Sequence, residues 1–187
     1  KIEAIFRQSK ANQKSSFNHL FNCQKLTNQD QPINPNLNEK NIVISLNENN
    51  EFISANFCRT ENNDKIKKRI EERAKFLDES AREAYQKHKI NEKLELEKMG
   101  INRKIRTVLQ SKKEQLQKEF LIAFGNTTRD KLMQHYKTPE NLANACLKGS
   151  LAILEKKGLD KQNLISLVVH FDEKGLPHCH TIYNDYN

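Results

Sequence analysis

The chain has 187 residues, a net charge of +8 and a pI of about 9.3, with 36% hydrophobic and 30% charged residues. It is long enough for one domain with a hydrophobic core, and this composition argues against an intrinsically disordered chain. Its apolar runs are far shorter than the roughly 20 residues that span a bilayer, so we expect no membrane insertion. The chain opens without a signal peptide pattern, and its four cysteines form no Cys-x-x-Cys pair. We therefore expect a cytoplasmic protein with reduced thiols.

The N-terminal third predicts strands around a long polar loop. Alternating apolar residues in Lys1–Ser9 indicate a first strand. Ser9–Gln31 is rich in Asn, Gln, Ser and Lys, which predicts a long surface loop that is either functional or disordered. Two β-rich runs, Asn41–Leu46 and Glu51–Phe57, are separated by four polar residues and predict a hairpin.

In the central part of the chain, the spacing of apolar residues changes to that of a helix. From Asp64, apolar residues recur at three- and four-residue spacing and predict an amphipathic helix up to Met99, with Gly100 as its C-terminal break. We expect a second helical stretch over Arg103–Gln117. The apolar run Glu119–Phe124 then predicts a buried strand.

The C-terminal part predicts a helix followed by two strands. Thr138 and Pro139 are typical of a helix N-cap and first helical position. The expected buried face of this helix consists of Leu142, Ala145, Cys146, Gly149, Ala152 and Ile153. Leu164–His170 and His178–Tyr183 follow as two neighbouring strands joined by a short loop.

Three of the six histidines fall between residues 170 and 180. His178 and His180 alternate on one strand, so both imidazoles project from the same face. His170 ends the preceding strand, and a short loop would bring its ring to the same point. Three imidazoles with open coordination positions favour a catalytic divalent-metal site. Cys179 points to the opposite face, where we expect the hydrophobic core.

The positive charge is concentrated in residues 64–119. A basic balance favours a polyanionic partner such as nucleic acid, although interleaved glutamates are equally typical of a solvated helix. The candidate DNA contacts are Arg7, Lys10, Lys14, Lys68, Arg69 and Arg103.

The chain resembles the HUH endonucleases, and more closely the plasmid mobilization relaxases of the MobV (Pre/Mob) type. Their third motif, His-x-Asp-Glu-x-x-Pro-His-x-His, is similar to residues 170–180, although three residues here separate Glu173 from Pro177 where the family has two. A first motif with Phe-x-His matches Phe17-Asn18-His19, and a second matches Ile33-Asn34-Pro35. The three motifs occur in family order.

This resemblance implies one relaxase domain over residues 1–187, the N-terminal part of a longer protein. Such enzymes bind single-stranded and duplex DNA at a transfer origin, cleave one strand and remain joined to its 5′ phosphate. The implied fold is α+β, an antiparallel sheet of about five strands with helices on one face and the metal on the other. His170, His178 and His180 would hold Mn²⁺ or Mg²⁺, with Glu173 as proton acceptor. A homodimer would form through segments outside this chain.

The nucleophile and the enzyme class remain open at this stage. The resemblance favours His19 as nucleophile, while the tyrosines Tyr85, Tyr136, Tyr183 and Tyr186 are the alternatives. Other readings are a rolling-circle replication initiator or transposase, a metal-dependent hydrolase of small molecules, and a non-catalytic metal-containing nucleic-acid-binding module.

Overall fold

A computed structural model describes residues 3–9, 20, 41–59, 61–107, 116–173 and 175–186, except for the side chains of residues 6–9. Within these residues the strands are β1 (Glu3–Ser9), β2 (Asn41–Leu46), β3 (Phe52–Phe57), β4 (Gln117–Gly125), β5 (Leu164–His170) and β6 (His178–Asn184). The helices are α1 (Asp64–Lys98), α2 (Arg129–Tyr136) and α3 (Pro139–Lys156), and a 3₁₀ turn covers Lys161–Asn163.

One antiparallel sheet joins all six strands in the order β1-β4-β6-β5-β2-β3. β6 and β5 occupy its two central positions, so each is hydrogen-bonded on both sides. The predicted hairpin is confirmed, with Asn41 opposite Phe57 and Leu46 opposite Phe52. The predicted α+β class with an antiparallel sheet is also confirmed, with six strands in place of about five.

Apolar side chains cover both faces of the sheet. On one face, α2 and α3 contribute to a cluster that includes Ile42, Phe120, Leu132, Leu142, Cys146, Leu167 and Cys179. On the other face, α1 contributes to a second cluster that includes Val43, Ile70, Ala74, Ile165, Val168 and Ile182. The expectation that all helices lie on one face is therefore wrong. Strand β5 is buried along its whole length, and a strand that is apolar on both sides needs a covering layer on each.

Two helix predictions need correction. Residues 101–107 have no regular structure and β4 already begins at Gln117, so the helix expected over Arg103–Gln117 is wrong at both ends; residues 108–115 lie outside the described residues. Helix α2 was not predicted. It has only eight residues and one fully buried side chain, Leu132, so its apolar period is too short to detect. Its N-cap is Thr128, whose side chain accepts a hydrogen bond from the Lys131 amide.

Helix α3 begins as predicted, with Thr138 as N-cap accepting from the Asn141 amide and Pro139 in the first turn. Its buried face is rotated from the predicted one and consists of Leu142, Ala143, Cys146, Ser150 and Leu154. The rotation places the Ser150 hydroxyl 2.8 Å from the Thr181 hydroxyl on β6, both fully buried. This hydrogen bond lets a polar residue occupy a position that an apolar pattern would not assign to the core.

Helix α1 has 35 residues, of which Ile70, Ala74 and Ala81 are buried. At about 1.5 Å per residue it is roughly 50 Å long, so its second half extends past the sheet. The predicted end is confirmed to within one residue, because α1 ends at Lys98, Met99 is its C-cap and Gly100 follows with a positive φ of 74°. Despite this length, no helix in the described residues is apolar enough to cross a membrane.

Candidate metal centre

Strands β5 and β6 bring the three histidines of the C-terminal motif together. His170 is directly opposite His178 in the register, and Val168 is opposite His180. Alternation along β6 places His178, His180 and Ile182 on one face, and Ile182 packs in the cluster that α1 covers. The three imidazoles therefore share the α1 face of the sheet.

The distances between the rings fit one shared metal ion. The centroid of the His170 ring lies 5.4 Å from that of His178 and 5.4 Å from that of His180, and the latter two are 5.1 Å apart. An imidazole nitrogen binds a first-row divalent ion at about 2.1 Å, so three rings around one ion at tetrahedral angles have centroids roughly 5 Å apart. The three side chains thus have both the donor type and the spacing of a metal site.

The site is buried on one side and open on the other. His170 is fully buried, whereas the side chains of His178 and His180 keep 16% and 13% of their surface exposed. A metal held by all three rings would be reached from the side of the two exposed histidines. Such access is what a catalytic metal needs for substrate or water in its remaining positions.

Hydrogen bonds orient two of the rings. Nδ1 of His180 lies 2.6 Å from Oε1 of Glu119 on β4, and Nδ1 of His178 lies 3.4 Å from the carbonyl oxygen of Leu176. Both contacts direct Nε2 as the coordinating atom, as outer partners of metal-bound histidines usually do. Burial, and then the neighbouring His180, lower the pKa of His178. The ring is therefore neutral at physiological pH, which is the form that binds metals.

A buried arginine binds both carboxylates of the motif. Nη2 of Arg59 lies 2.6 Å from Oδ1 of Asp172 and 2.6 Å from Oε1 of Glu173, and its Nε donates to Oδ2 of Asp172 at 2.9 Å. Asn41 donates to the same Oδ2 at 2.9 Å and accepts from the Phe171 amide. Burial opposes the charge of Asp172, but Arg59 and then Asn41 hold the pKa of this carboxyl below its ordinary value.

Two overlapping ligand sets are possible at this site. Donor atoms of His170, Asp172 and Glu173 all lie within 4.8 Å of one another. Asp172, however, already accepts three hydrogen bonds from Arg59 and Asn41, which makes it a poor ligand. Glu173 has one oxygen on Arg59 and the other 3.4 Å from Nε2 of His178. We therefore favour the three histidines as ligands, with Glu173 beside them.

The extra residue in the loop between β5 and β6 does not carry Glu173 away from the histidines. Arg129, the first residue of α2, donates to the carbonyl of Phe171 at 2.6 Å and to that of Gly175 at 3.3 Å. These two bonds hold the loop at a point on each side of Glu173. Glu173 remains buried against His178 between them.

The tyrosines lie apart from the three histidines. Tyr183 points to the α3 face and is fully buried, and burial raises its pKa to about 12. Tyr186 follows the far end of β6, and Tyr136 packs against the α3 face. Tyr85 is half-buried on α1. Within the described residues, then, no tyrosine is placed to attack a phosphate at the histidines.

The other predicted site residues are scattered or outside the described residues. Lys68 is exposed on α1, with Nζ 3.8 Å from Glu72, and Arg69 is half-buried one residue further. Arg103 is exposed and lies near Lys89 and Glu92, about 40 Å along α1 from its start at 1.5 Å per residue. The predicted His19, Lys10, Lys14 and the side chain of Arg7 lie outside the described residues.

Sequence reasoning missed Arg59, Asn41, Glu119 and Arg129. Arg59 and Asn41 contact Asp172 across sequence separations of 113 and 131 residues, which no local pattern reveals. Glu119 did leave a signal, because it alternates with Leu121 and so shares the face of His180 on the neighbouring strand. A charged residue at an inward position of a buried strand predicts a polar partner there.

No family model matches the chain, and no curated protein matches it either. Among solved structures, the chain is similar to a MobM relaxase domain (MOBV; Mob_Pre) that was crystallised with manganese and with oriT DNA of plasmid pMV158. The match has a TM-score of 0.42 and 20% sequence identity, and it covers 97% of this chain and 69% of that one.

Proposed function

We propose that this chain is a relaxase domain that uses a divalent metal to nick one strand of DNA at a transfer origin. The observation that carries the proposal is the convergence of His170, His178 and His180 on one sheet face beside Glu173. The sequence adds two upstream motifs in the order of the Pre/Mob relaxases. The domain would act in the cytoplasm as the N-terminal part of a longer protein, which would dimerise through other segments.

The three imidazoles fit Mn²⁺ better than Mg²⁺. Magnesium prefers oxygen ligands and keeps much of its water, whereas imidazole suits first-row transition ions. When bound, the metal would act as a Lewis acid toward the scissile phosphate. The chain would hold it by Nε2 of His178 and His180, which Leu176 and Glu119 orient from outside.

Residues of the chain itself would form the covalent bond to DNA and accept the proton. A nitrogen of His19 would attack phosphorus and form the N–P bond, while the bond from phosphorus to the 3′ oxygen breaks. The departing 3′ oxygen would take up a proton, and Glu173 would receive the imidazole proton of the attacking histidine. Arg59 supports this role because it fixes one oxygen of Glu173 and leaves the other beside His178.

A cleavage assay tests the proposal. Labelled single-stranded DNA with a candidate transfer origin is incubated with the chain and either Mn²⁺ or EDTA, then separated on a denaturing gel. We expect metal-dependent nicking and a protein–DNA adduct, both lost in His180→Ala and His19→Ala. Tyr183→Phe should retain both. His88→Ala is a matched control, because His88 is exposed on α1 outside the site.

Each other outcome identifies a different function. Adduct formation that survives His19→Ala would move the nucleophile to another residue and bring the chain closer to replication initiators or transposases. Metal-dependent turnover of a phosphoester without any adduct would identify a hydrolase. Tight metal binding that is needed for folding, without cleavage, would identify a non-catalytic module.

A further inference from the structure

A cavity with charged and apolar side chains in its wall lies away from the histidines. It has a volume of about 440 Å³ and is lined by the β2–β3 turn (residues 46–50) and by one face of α1 (residues 69–76). We call it the hairpin pocket. Its size is within the range of roughly 300–1,000 Å³ that is typical of small-ligand sites.

Arg69 brings an unsatisfied cation into the hairpin pocket. Its Nε and Nη2 atoms are buried and have no hydrogen-bond partner among the described residues. A buried donor without a partner is costly, more so when it is charged. A guanidinium is satisfied best by an anion with two acceptor oxygens, such as a phosphate or a carboxylate. Arg69 therefore points to an anionic ligand.

Arg73 contributes a second positive charge to the hairpin pocket. Its Nε donates to the carbonyl of Leu164 at 2.7 Å, and its Nη2 donates to that of Gln162 at 2.8 Å. Its charge is thus held rigidly one helical turn from Arg69. Burial lowers the pKa of Arg73, but an arginine remains protonated at any physiological pH.

An exposed aromatic ring stands beside these cations. Phe76 is 62% exposed and is seven residues, two helical turns, after Arg69, so both project from the same side of α1. Phe76 lines the same cavity. A flat ring next to a phosphate-binding cation is the arrangement that single-strand-binding proteins use, with the base stacked on the ring.

Acidic residues at the rim narrow the choice of anion. Glu72 and Glu48 also line the hairpin pocket, and the exposed Glu72 is only loosely paired, 3.8 Å from Lys68. A group with two or more negative charges would be repelled by these carboxylates. A phosphodiester carries a single negative charge, so it suits the pocket better than a free phosphate or a nucleoside polyphosphate.

One single strand of DNA can occupy the hairpin pocket and the metal centre at the same time. Strand β2 connects the two, because Asn41 contacts Asp172 at one end and Leu46 lines the pocket at the other. Five residues of strand span about 17 Å. A stacked strand has one phosphate every 3.4 Å or so, which makes the separation about five nucleotides, and fewer for an extended strand.

We propose that the hairpin pocket binds one nucleotide of single-stranded DNA, with its phosphodiester at Arg69 and its base stacked on Phe76. The nucleotide lies up to about five positions from the phosphate at the metal centre. The identity of the polymer rests on the proposed function. The subsite contributes affinity and fixes the register of the strand without touching the reacting atoms.

Fluorescence anisotropy with labelled ten-nucleotide oligothymidylate, titrated at several salt concentrations, tests the subsite. Arg69→Ala should weaken binding about tenfold. It should also reduce the magnitude of the slope of log affinity against log salt concentration by about 0.7, the value for one lost phosphate contact on a single strand. Phe76→Ala should weaken binding by about 5- to 160-fold, the range for one stacked base, without changing this slope. Phe76→Tyr should restore binding.

Controls separate the subsite from general effects of charge and folding. Lys87→Ala removes an exposed cation of α1, and Met99→Ala removes a side chain that is 64% exposed; neither should change the affinity. Far-UV circular dichroism and Mn²⁺ binding should be the same in all variants, because none of these residues contacts the histidines.

The subsite and the proposed function fail in different ways. If Arg69→Ala and Phe76→Ala bind as tightly as the parent chain, or if both change only the slope, the subsite is wrong even when nicking occurs. If the parent chain binds no oligothymidylate, the subsite is wrong as well. If both variants lose binding as described but the chain never nicks DNA, the subsite stands and the nicking function is wrong.

Discussion

Replacing Arg59 with methionine removes the cation that compensates two buried carboxylates. The Arg59 side chain is fully buried, and those of Asp172 and Glu173 are only 12% and 7% exposed. Breaking a buried ion pair by removing one partner costs about 3–5 kcal/mol, because the remaining charge is uncompensated. For a chain of this length each kcal/mol lowers Tm by about 2–4 °C, so we expect Arg59→Met to lower it by roughly 10 °C.

The loss should depend on pH with a definite sign. In the parent chain the folded-state pKa of Asp172 is depressed, so its contribution is present above the unfolded value of about 3.9 and is lost below it. In Arg59→Met, burial without the cation should raise this pKa above the unfolded value. The variant should then gain stability as pH falls toward about 4. The difference in free energy of unfolding should be largest at pH 7 and shrink by pH 5.

Urea unfolding in EDTA at both pH values measures this difference without a contribution from metal. Arg82→Met is the control, because Arg82 pairs with Asp78 on the partly exposed surface of α1 at 2.7 Å. Such pairs contribute only about 0.3–0.5 kcal/mol. A loss below about 1 kcal/mol for Arg59→Met, or the same loss at pH 7 and pH 5, would refute the assignment of Arg59 as a buried counter-charge.

Three further predictions concern single side chains. Glu119→Gln should weaken Mn²⁺ binding by about 10- to 100-fold in calorimetry, because the carboxylate orients His180; unchanged affinity would mean that this hydrogen bond does not tune the ligand. Tyr183→Phe should abolish the tyrosine transition near pH 12 in an ultraviolet titration, and persistence of that transition would assign it to another tyrosine. Thr138→Ala should cost about 1 kcal/mol in urea unfolding, because its side chain caps α3 at the Asn141 amide; a neutral effect would mean that water replaces the cap.

The histidine cluster could be predicted because its geometry is local. The alternation of His178 and His180 depends only on the period of a strand, and the short loop back to His170 needs only a hairpin. The cysteine between them was likewise correctly expected in the core, and Cys179 is fully buried on the opposite face. A site built on two adjacent strands can be inferred from spacing alone.

The parts that escaped prediction depend on long-range register. Arg59 follows β3 in a polar turn, and nothing in that turn indicates that β2 and β5 are neighbours, which is what brings it to Asp172. The position of α1 on the second face of the sheet was not predicted for the same reason. An apolar stripe predicts that a helix packs, but the face it covers is decided by the order of the strands.

The central position of β5 and β6 has a consequence for hydrogen exchange. Amides of a strand that is paired on both sides, such as those near Val168 and His180, exchange only when the sheet opens as a whole, whereas an edge strand such as β1 frays on its own. Transient opening of the edges should therefore leave the three histidines in register. The three rings would come apart only with global unfolding, so each locally opened form of the domain would keep the candidate metal centre assembled.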